Sequence, residues 1–184
     1  MSISRARGVS LVELVVFIVI VGVAMAGLFA AFNTMTARSA DPQVRKQVLA
    51  IAESLMEEIQ LMPFTYCDPD DPAVSTATSP AACGTPEASG PEAGETRYST
   101  SVPFDNVNDY HGYNTASEVP PGIKDITGTP IAGLGQYNAS VTVAPAVLPG
   151  IPAGEALLIT VTVAAPGNVS VTAAGYRLRY APRL

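Results

Sequence analysis

Hydrophobic residues follow three different patterns along the chain, and each pattern predicts a different kind of element. From Leu14 to Ala37 no charged residue occurs, and the only polar residues are Asn33, Thr34 and Thr36. As a helix with a rise of about 1.5 Å per residue, this run would be about 36 Å long, which is enough to cross the hydrocarbon core of a bilayer. The first pattern therefore predicts a membrane-spanning helix.

The second pattern is a repeat of apolar residues at spacings of three and four between Gln43 and Met62, which predicts an amphipathic helix. Pro63 is expected to end it. Between the two helical patterns, Asp41-Pro42 predicts either a kink or a new helix start, because Asp caps helices and Pro is tolerated in a first turn. The apolar face comprises Val44, Val48, Ile51, Leu55, Ile59 and Met62.

The third pattern, alternation of polar and apolar residues, is confined to the end of the chain and predicts short strands. These strands form an antiparallel meander with one buried face, against which the amphipathic helix packs. The fold class is therefore α+β: a long N-terminal helix on a small antiparallel sheet, with long loops. The predicted strands are Tyr137 to Val143, Leu157 to Ala164, Val169 to Thr172 and Tyr176 to Tyr180.

Residues 65–96 are rich in Pro, Ser, Thr, Ala, Gly and acids, a composition that buries too little apolar surface to offset ordering entropy. Cys67 and Cys83 lie in this stretch and are the only two cysteines of the chain. An intramolecular disulfide is favoured over free thiols or a bridge between chains. Closing a loop of about 17 residues would stabilise the fold by about 3 kcal/mol in the chain-entropy model.

The acids Asp68, Asp70 and Asp71 raise the question of calcium, because hard cations bind clustered carboxylates. Pro69 and Pro72 interrupt them, and the spacing of an EF-hand loop is missing. A solvated acidic loop is therefore the favoured interpretation. We expect no metal site and no cofactor.

The single histidine, His111, lies in the aromatic stretch Phe104 to Tyr113. A histidine among acids and tyrosines could perform acid–base chemistry, but no nucleophile with a fixed neighbour accompanies it. An aromatic loop packed on the sheet is favoured, and no enzymatic activity is expected. The net charge of −6 and the absence of a basic run argue against binding to nucleic acid.

A short basic segment with Arg5 and Arg7 and no acid precedes the apolar run. Such residues hold their end of a span in the cytoplasm, so the chain beyond Arg38 is expected on the outer side. Glu13 lies inside the start of the span, where a carboxylate costs about 2.5–3.5 kcal/mol. Its role is either functional, with a charged partner, or that of a residue at the membrane interface.

A basic leader ending in Gly8, followed by Val9-Ser10-Leu11-Val12-Glu13-Leu14 and an apolar helix, resembles the N-terminus of type IV prepilins. The resemblance implies that a prepilin peptidase cuts between Gly8 and Val9 and that Val9 is then N-methylated. Glu13 becomes the fifth mature residue and acts in assembly. The family usually has Phe or Met where this chain has Val9.

Four strings resemble a narrower group, the minor D-type prepilins of mannose-sensitive haemagglutinin (MSHA) pili. The resemblance implies a cleaved leader (1–8), a transmembrane and filament-core helix (9–38) and a pilin-like head (39–184). It implies an inner-membrane protein with its C-terminus in the periplasm, later carried into an extracellular pilus. The implied partners are other pilin subunits, the prepilin peptidase and an inner-membrane assembly platform. The strings are 39–47, 50–59, 67–71 and 104–113.

Three other functions remain open at this point. A minor pseudopilin of a type II secretion system, which assembles into a periplasmic pseudopilus, has the same leader and helix. A signal-anchored periplasmic enzyme would need a polar constellation that the sequence does not display. An adhesive module with the proline-rich loops as its contact surface is compatible with a pilin.

Overall fold

The computed structural model describes the backbone of residues 10–179 and, within that range, every side chain outside residues 34–41. The described chain divides between Gln43 and Val44 into two compact units. Among the described residues it forms a long helix, three short 3₁₀ helices and a three-stranded sheet. In order these are α1 (Leu11–Leu61), η1 (Pro80–Ala82), η2 (Val107–Tyr110), η3 (Thr115–Ser117), β1 (Asn138–Pro145), β2 (Ala156–Ala165) and β3 (Val169–Leu178).

Helix α1 includes both helical patterns of the sequence and ends at Leu61, two residues before Pro63. Pro42 lies inside it, so the alternative of a new helix start at Asp41-Pro42 is wrong. Proline inside a helix removes one main-chain hydrogen bond and crowds the preceding turn, yet α1 continues through Pro42.

The sheet is an antiparallel meander in the order β1-β2-β3, as the alternation predicts. Its register aligns apolar residues in rows on one face, of which Val141–Val161–Ala173 is one. One detail of the prediction is wrong, because the break expected between strands at 169–172 and 176–180 is absent and Val169–Leu178 form the single strand β3.

Gly175 explains why β3 continues through residues 173–175, where polar and apolar residues do not alternate. It lies opposite Ile159 in the register, and a Cβ atom there would lie 2.6 Å from Gln60 Nε2 and 3.3 Å from Met56 Sδ. The missing side chain lets α1 approach the sheet closely. The helix thus provides the packing that the strand sequence lacks.

The core of the second unit lies between α1 and the buried sheet face. The predicted apolar helix face is confirmed: Val48, Leu55 and Ile59 are buried, and Val44, Ile51 and Met62 pack against the core at its margin. The sheet contributes Ala139, Val141, Val143, Leu157, Ile159, Val161 and Val163, and the aromatic loop contributes Val107 and Tyr110.

Candidate functional site

The first candidate surface is the apolar part of α1. Residues Leu11–Asn33 form a stretch long and apolar enough to cross a membrane. Every side chain in it is exposed, including Leu11 at 78%, Val23 at 69% and Phe29 at 66%. Such a continuous apolar surface is far larger than soluble monomers leave in water. The stretch therefore needs an apolar environment, either lipid or other helices.

Glu13 lies in the first turn of this helix. Ser10 caps the turn, since its Oγ accepts a hydrogen bond from Glu13 N at 3.4 Å and its carbonyl accepts one from Leu14 N at 3.1 Å. An acid at a helix N-terminus is favoured by the helix dipole. Among the side chains that the structure describes, the Glu13 carboxylate has no hydrogen-bond or ion-pair partner. The predicted cleavage and methylation site, Gly8 and Val9, lies outside the described residues.

Residues 65–96 are more ordered than their composition predicts. Cys67 and Cys83 are joined by a disulfide, which agrees with the favoured pairing. Asp71 is only 6% exposed, and its carboxylate accepts hydrogen bonds from Ala73 N at 2.7 Å and Thr85 N at 2.5 Å. These backbone hydrogen bonds lower the pKa of Asp71. The expectation of a solvated acidic loop is therefore wrong for Asp71, which organises the loop as an acceptor.

His111 has a structural contact in the second unit. Its Nδ1 accepts a hydrogen bond from Val143 N at 3.2 Å, at the edge of β1. The two residues after His111 also join the aromatic loop to β1. Gly112 N donates to Val141 O, and Tyr113 O accepts from Val141 N. The expected packing of the aromatic loop on the sheet is confirmed. His111 Nδ1 therefore helps to hold the aromatic loop on β1.

A charged network links the aromatic loop to α1. Arg97 Nη2 lies 2.6 Å from Glu58 Oε2 and Nε lies 2.6 Å from Oε1. The Tyr110 hydroxyl donates to the same carboxylate at 2.8 Å. Burial lowers the pKa of Arg97, but the hydrogen bonds and charge of Glu58 outweigh burial, so the net pKa rises. Phe104, Tyr110 and Tyr113 pack edge to face beside this network. The network of Arg97, Glu58 and Tyr110 therefore stabilises the fold and leaves no reactive group free.

A second candidate site is a group of acids that the loops bring together, which we call the carboxylate cluster: Glu87, Glu92, Glu95, Asp105 and Asp109. One carboxylate oxygen from each of Glu87, Glu92 and Asp109 lies within 4.8 Å of the others, and the same holds for Glu95, Asp105 and Asp109. Asp109 belongs to both groups and has 0% exposure. None of the five forms a salt bridge with a cation in the described part of the chain.

The position of Asp109 is fixed by the local fold. Its Oδ2 accepts from Asn106 N at 2.7 Å and from Asp105 N at 2.9 Å, which completes a capping box at the start of η2. The Asn106 side chain donates to Thr65 Oγ1 at 2.8 Å, and Thr65 donates to the carbonyl of Cys67 at 2.6 Å. A buried chain of hydrogen bonds therefore connects the cluster to the disulfide.

The electrostatics of the cluster oppose full ionisation. Burial, together with the charges of Asp109 and Glu92, raises the pKa of Glu87 to about 9. Burial likewise raises the pKa of Glu95 to about 8, of Asp109 to about 7 and of Asp105 to about 6. Two carboxylates about 5 Å apart repel by about 3 kcal/mol at an effective dielectric constant of about 20. The cluster must therefore hold protons or a cation.

Asp68 and Asp70 form a third group with Asp105, with oxygens again within 4.8 Å. This group is more open, since Asp70 is exposed. Asp68 Oδ1 accepts a hydrogen bond from Asp70 N at 2.7 Å, which closes a local turn. The acids considered for calcium in the sequence are therefore divided: Asp71 serves the loop backbone, and the other two border the carboxylate cluster.

Sequence reasoning missed Glu87, Glu92, Glu95, Asp105 and Asp109 as a set. One signal was present, because no lysine or arginine occurs between Lys46 and Arg97. That interval contains the acids Glu53, Glu57, Glu58, Asp68, Asp70, Asp71, Glu87, Glu92 and Glu95.

Comparison of the chain with protein-family models, with curated proteins and with solved structures gives no match.

Proposed function

We propose that the chain is a structural minor pilin, made as a prepilin in the inner membrane and assembled into a type IV pilus of the MSHA kind. The observation that carries the proposal is the exposed apolar surface of Leu11–Asn33, preceded by Arg5, Arg7 and Gly8 and containing Glu13. Lipid covers this surface first. Helices of neighbouring subunits cover it in the fibre.

Glu13 supplies the assembly step in this proposal. Cleavage after Gly8 creates a positive α-amino group on Val9, four residues before the carboxylate. A charge in an apolar environment is expensive alone and tolerable when paired. The carboxylate of one subunit therefore pairs with the amino group of an adjacent subunit as it leaves the bilayer.

The head (39–184), which includes the second compact unit from Val44 onward, provides the exposed surface of the subunit in the fibre. Its loops between α1 and β1 carry the Cys67–Cys83 bond and the aromatic stretch. Priming of assembly or adhesion is the role we assign to a minor subunit of this kind. The prepilin peptidase and an assembly platform are the required partners.

Mass spectrometry of the protein from cells with and without the peptidase tests the proposal. We expect an N-terminus at methylated Val9 only when the peptidase is present. Gly8→Ala is the mild control, and Gly8→Leu should block the cut because a larger side chain does not fit a site shaped for glycine. Mature protein that retains residues 1–8 in peptidase-positive cells would contradict the proposal.

The competing pseudopilin function shares the processing step, so a second measurement separates the two. Deletion of the gene should abolish or shorten surface filaments in a pilin. Loss of an exported enzyme from the medium, with filaments unchanged, would instead favour the pseudopilin.

A further inference from the structure

We propose that the carboxylate cluster formed by Glu87, Glu92, Glu95, Asp105 and Asp109 binds a calcium ion. The proposal concerns the second unit alone and does not depend on the type of fibre in which the subunit is placed.

The decisive residue is Asp109, which is completely buried. Backbone N–H groups occupy its Oδ2, while its Oδ1 is buried with no hydrogen-bond partner among the described residues. Both carboxylate oxygens of Glu87 are buried and unpartnered in the same way, as is Oε1 of Glu92. Buried oxygens of this kind are rare in folded proteins unless an ion or ordered water satisfies them.

The spacing of the oxygens fits one ion. Two oxygens that ligate the same Ca²⁺ at about 2.3–2.6 Å are at most about 5 Å apart. The oxygens of Glu87, Glu92 and Asp109 lie within 4.8 Å of one another, and so do those of Glu95, Asp105 and Asp109. Asp109 belongs to both groups, so an ion bound to its carboxylate has a set of three acids on either side of it.

The donor set selects the kind of ion. The candidate ligands in both groups are carboxylates, with no histidine or cysteine among them, which favours a hard cation over zinc or copper. The ligands come from irregular loop segments around 87–95 and from Asp105 and Asp109 at η2. Calcium tolerates such irregular coordination, whereas magnesium requires a near-octahedral arrangement.

Charge balance supports the same choice. The acids of the cluster lie within 4.8 Å of one another in two groups and form no salt bridge with a cation in the described part of the chain. The charge of Arg179 interacts with that of Glu87. However, Arg179 forms its salt bridge with Glu155, with Nε 3.4 Å from Oε2. A divalent cation would replace the protons and remove the repulsion. Binding should therefore release protons near neutral pH.

The ion would connect two parts of the loop region. Residues 87–95 are joined to η2 by a backbone hydrogen bond from Gly90 N to Asn108 O at 3.0 Å. Calcium would add direct bonds from both sides of this contact. The buried hydrogen bonds from Asn106 to Thr65 extend its effect towards the disulfide.

The experiment is a calorimetric titration of the chelator-treated, full-length protein with CaCl₂ in a non-ionic detergent at neutral pH. We expect one Ca²⁺ per chain with a Kd of about 10⁻⁵–10⁻³ M. Parallel titrations in two buffers of different ionisation enthalpy should reveal proton release. At a concentration 100 times the Kd, the Tm should rise by about 5–10 °C. MgCl₂ should bind at least about tenfold more weakly.

Two variants and a control locate the ion. Glu87→Gln and Asp109→Asn keep the shape of the side chain and remove its charge, and each should weaken Ca²⁺ binding by at least about tenfold. Glu57→Gln removes an exposed acid of α1 outside the cluster and should leave the affinity unchanged. Near-UV circular dichroism of the tyrosines checks that each variant is folded.

Three results would overturn the proposal. Folded wild-type protein that takes up no Ca²⁺ at about 10 mM, ten times the weakest expected Kd, would show that the cluster holds only protons. Equal affinity for Mg²⁺ would reject the assignment to calcium. Equal weakening in Glu57→Gln would place the ion outside the cluster.

Discussion

Replacing Glu58 by Gln tests whether the pair with Arg97 holds the loops on α1. The two side chains are only 20% and 10% exposed, and they form two hydrogen bonds of 2.6 Å. Removing one charge of a buried pair costs about 3–5 kcal/mol, because the other charge is left unpaired. The amide of Gln can still accept one hydrogen bond, so we expect a loss near the lower value, about 3 kcal/mol.

The assay is thermal unfolding of the full-length protein in a non-ionic detergent, followed by the near-UV circular dichroism of its tyrosines. For a chain of this size each kcal/mol shifts the Tm by about 2–4 °C. Glu58→Gln should therefore lower the Tm by about 6–12 °C. Glu57→Gln is the matched control, since it removes the adjacent, exposed carboxylate on the same helix.

A double variant separates loss of the pair from loss of packing. Glu58→Leu alone leaves Arg97 buried without its partner. Glu58→Leu with Arg97→Met removes both charges, and apolar replacement of a buried pair is often nearly neutral. The double variant should therefore be more stable than Glu58→Leu. It will still lose about 1–3 kcal/mol, because the buried hydroxyl of Tyr110 has lost its acceptor. A Glu58→Gln protein that melts within about 2 °C of the control, less than 1 kcal/mol by the same conversion, would refute the reasoning.

Three further predictions concern assembly, backbone geometry and pH. If Glu13 pairs with a neighbouring N-terminus as proposed, Glu13→Gln should be inserted and processed normally yet be scarce in sheared filaments, because loss of one charge of a buried pair costs about 3–5 kcal/mol. Quantitative immunoblotting checks this, and incorporation at the wild-type level would leave Glu13 as an interfacial residue. Gly122→Ala should lower the Tm more than Gly133→Ala does, since both positions have positive φ but only at Gly122 would a Cβ lie 2.6 Å from Gly135 Cα; equal losses would count against this packing. In calcium-free buffer the Tm should fall as pH rises from about 4.5 towards 9, because the folded state keeps the Glu87 proton that the unfolded state releases. Glu87→Gln should flatten this fall, and an unchanged slope would contradict it.

The elements that sequence predicted well are those whose signal is local. Spacings of three and four identified the buried face of α1 that includes Val48 and Ile59, and alternation identified the buried face of β1 and β2. Each pattern reports which side of one element faces the core, so it needs no knowledge of distant residues. The disulfide followed from the presence of only two cysteines on the predicted outer side.

The features that sequence missed depend on residues far apart in the chain. Strand β3 runs through Gly175 because Met56 and Gln60 of the helix pack over it. The carboxylate cluster forms because the loop around Gly90 bonds to Asn108, which brings acids from two unrelated stretches together. The composition of residues 65–96 predicted little order, because composition reports how much apolar surface can be buried and not which backbone hydrogen bonds form. Those bonds, with Asp71 at their centre, supply the order.

The distance along the chain between α1 and its packing partners has a consequence for biosynthesis. The hydrogen bond from Tyr137 to Gln47 spans 90 residues, and that from Arg177 to the carbonyl of Met62 spans 115. Contacts of such separation form slowly, and a nascent chain cannot make them until its last strands have been synthesised. The buried face of α1 in the second unit therefore remains uncovered until the last strands have been synthesised. A product truncated before β2 would keep that face exposed permanently, which makes it a target for proteases and for aggregation.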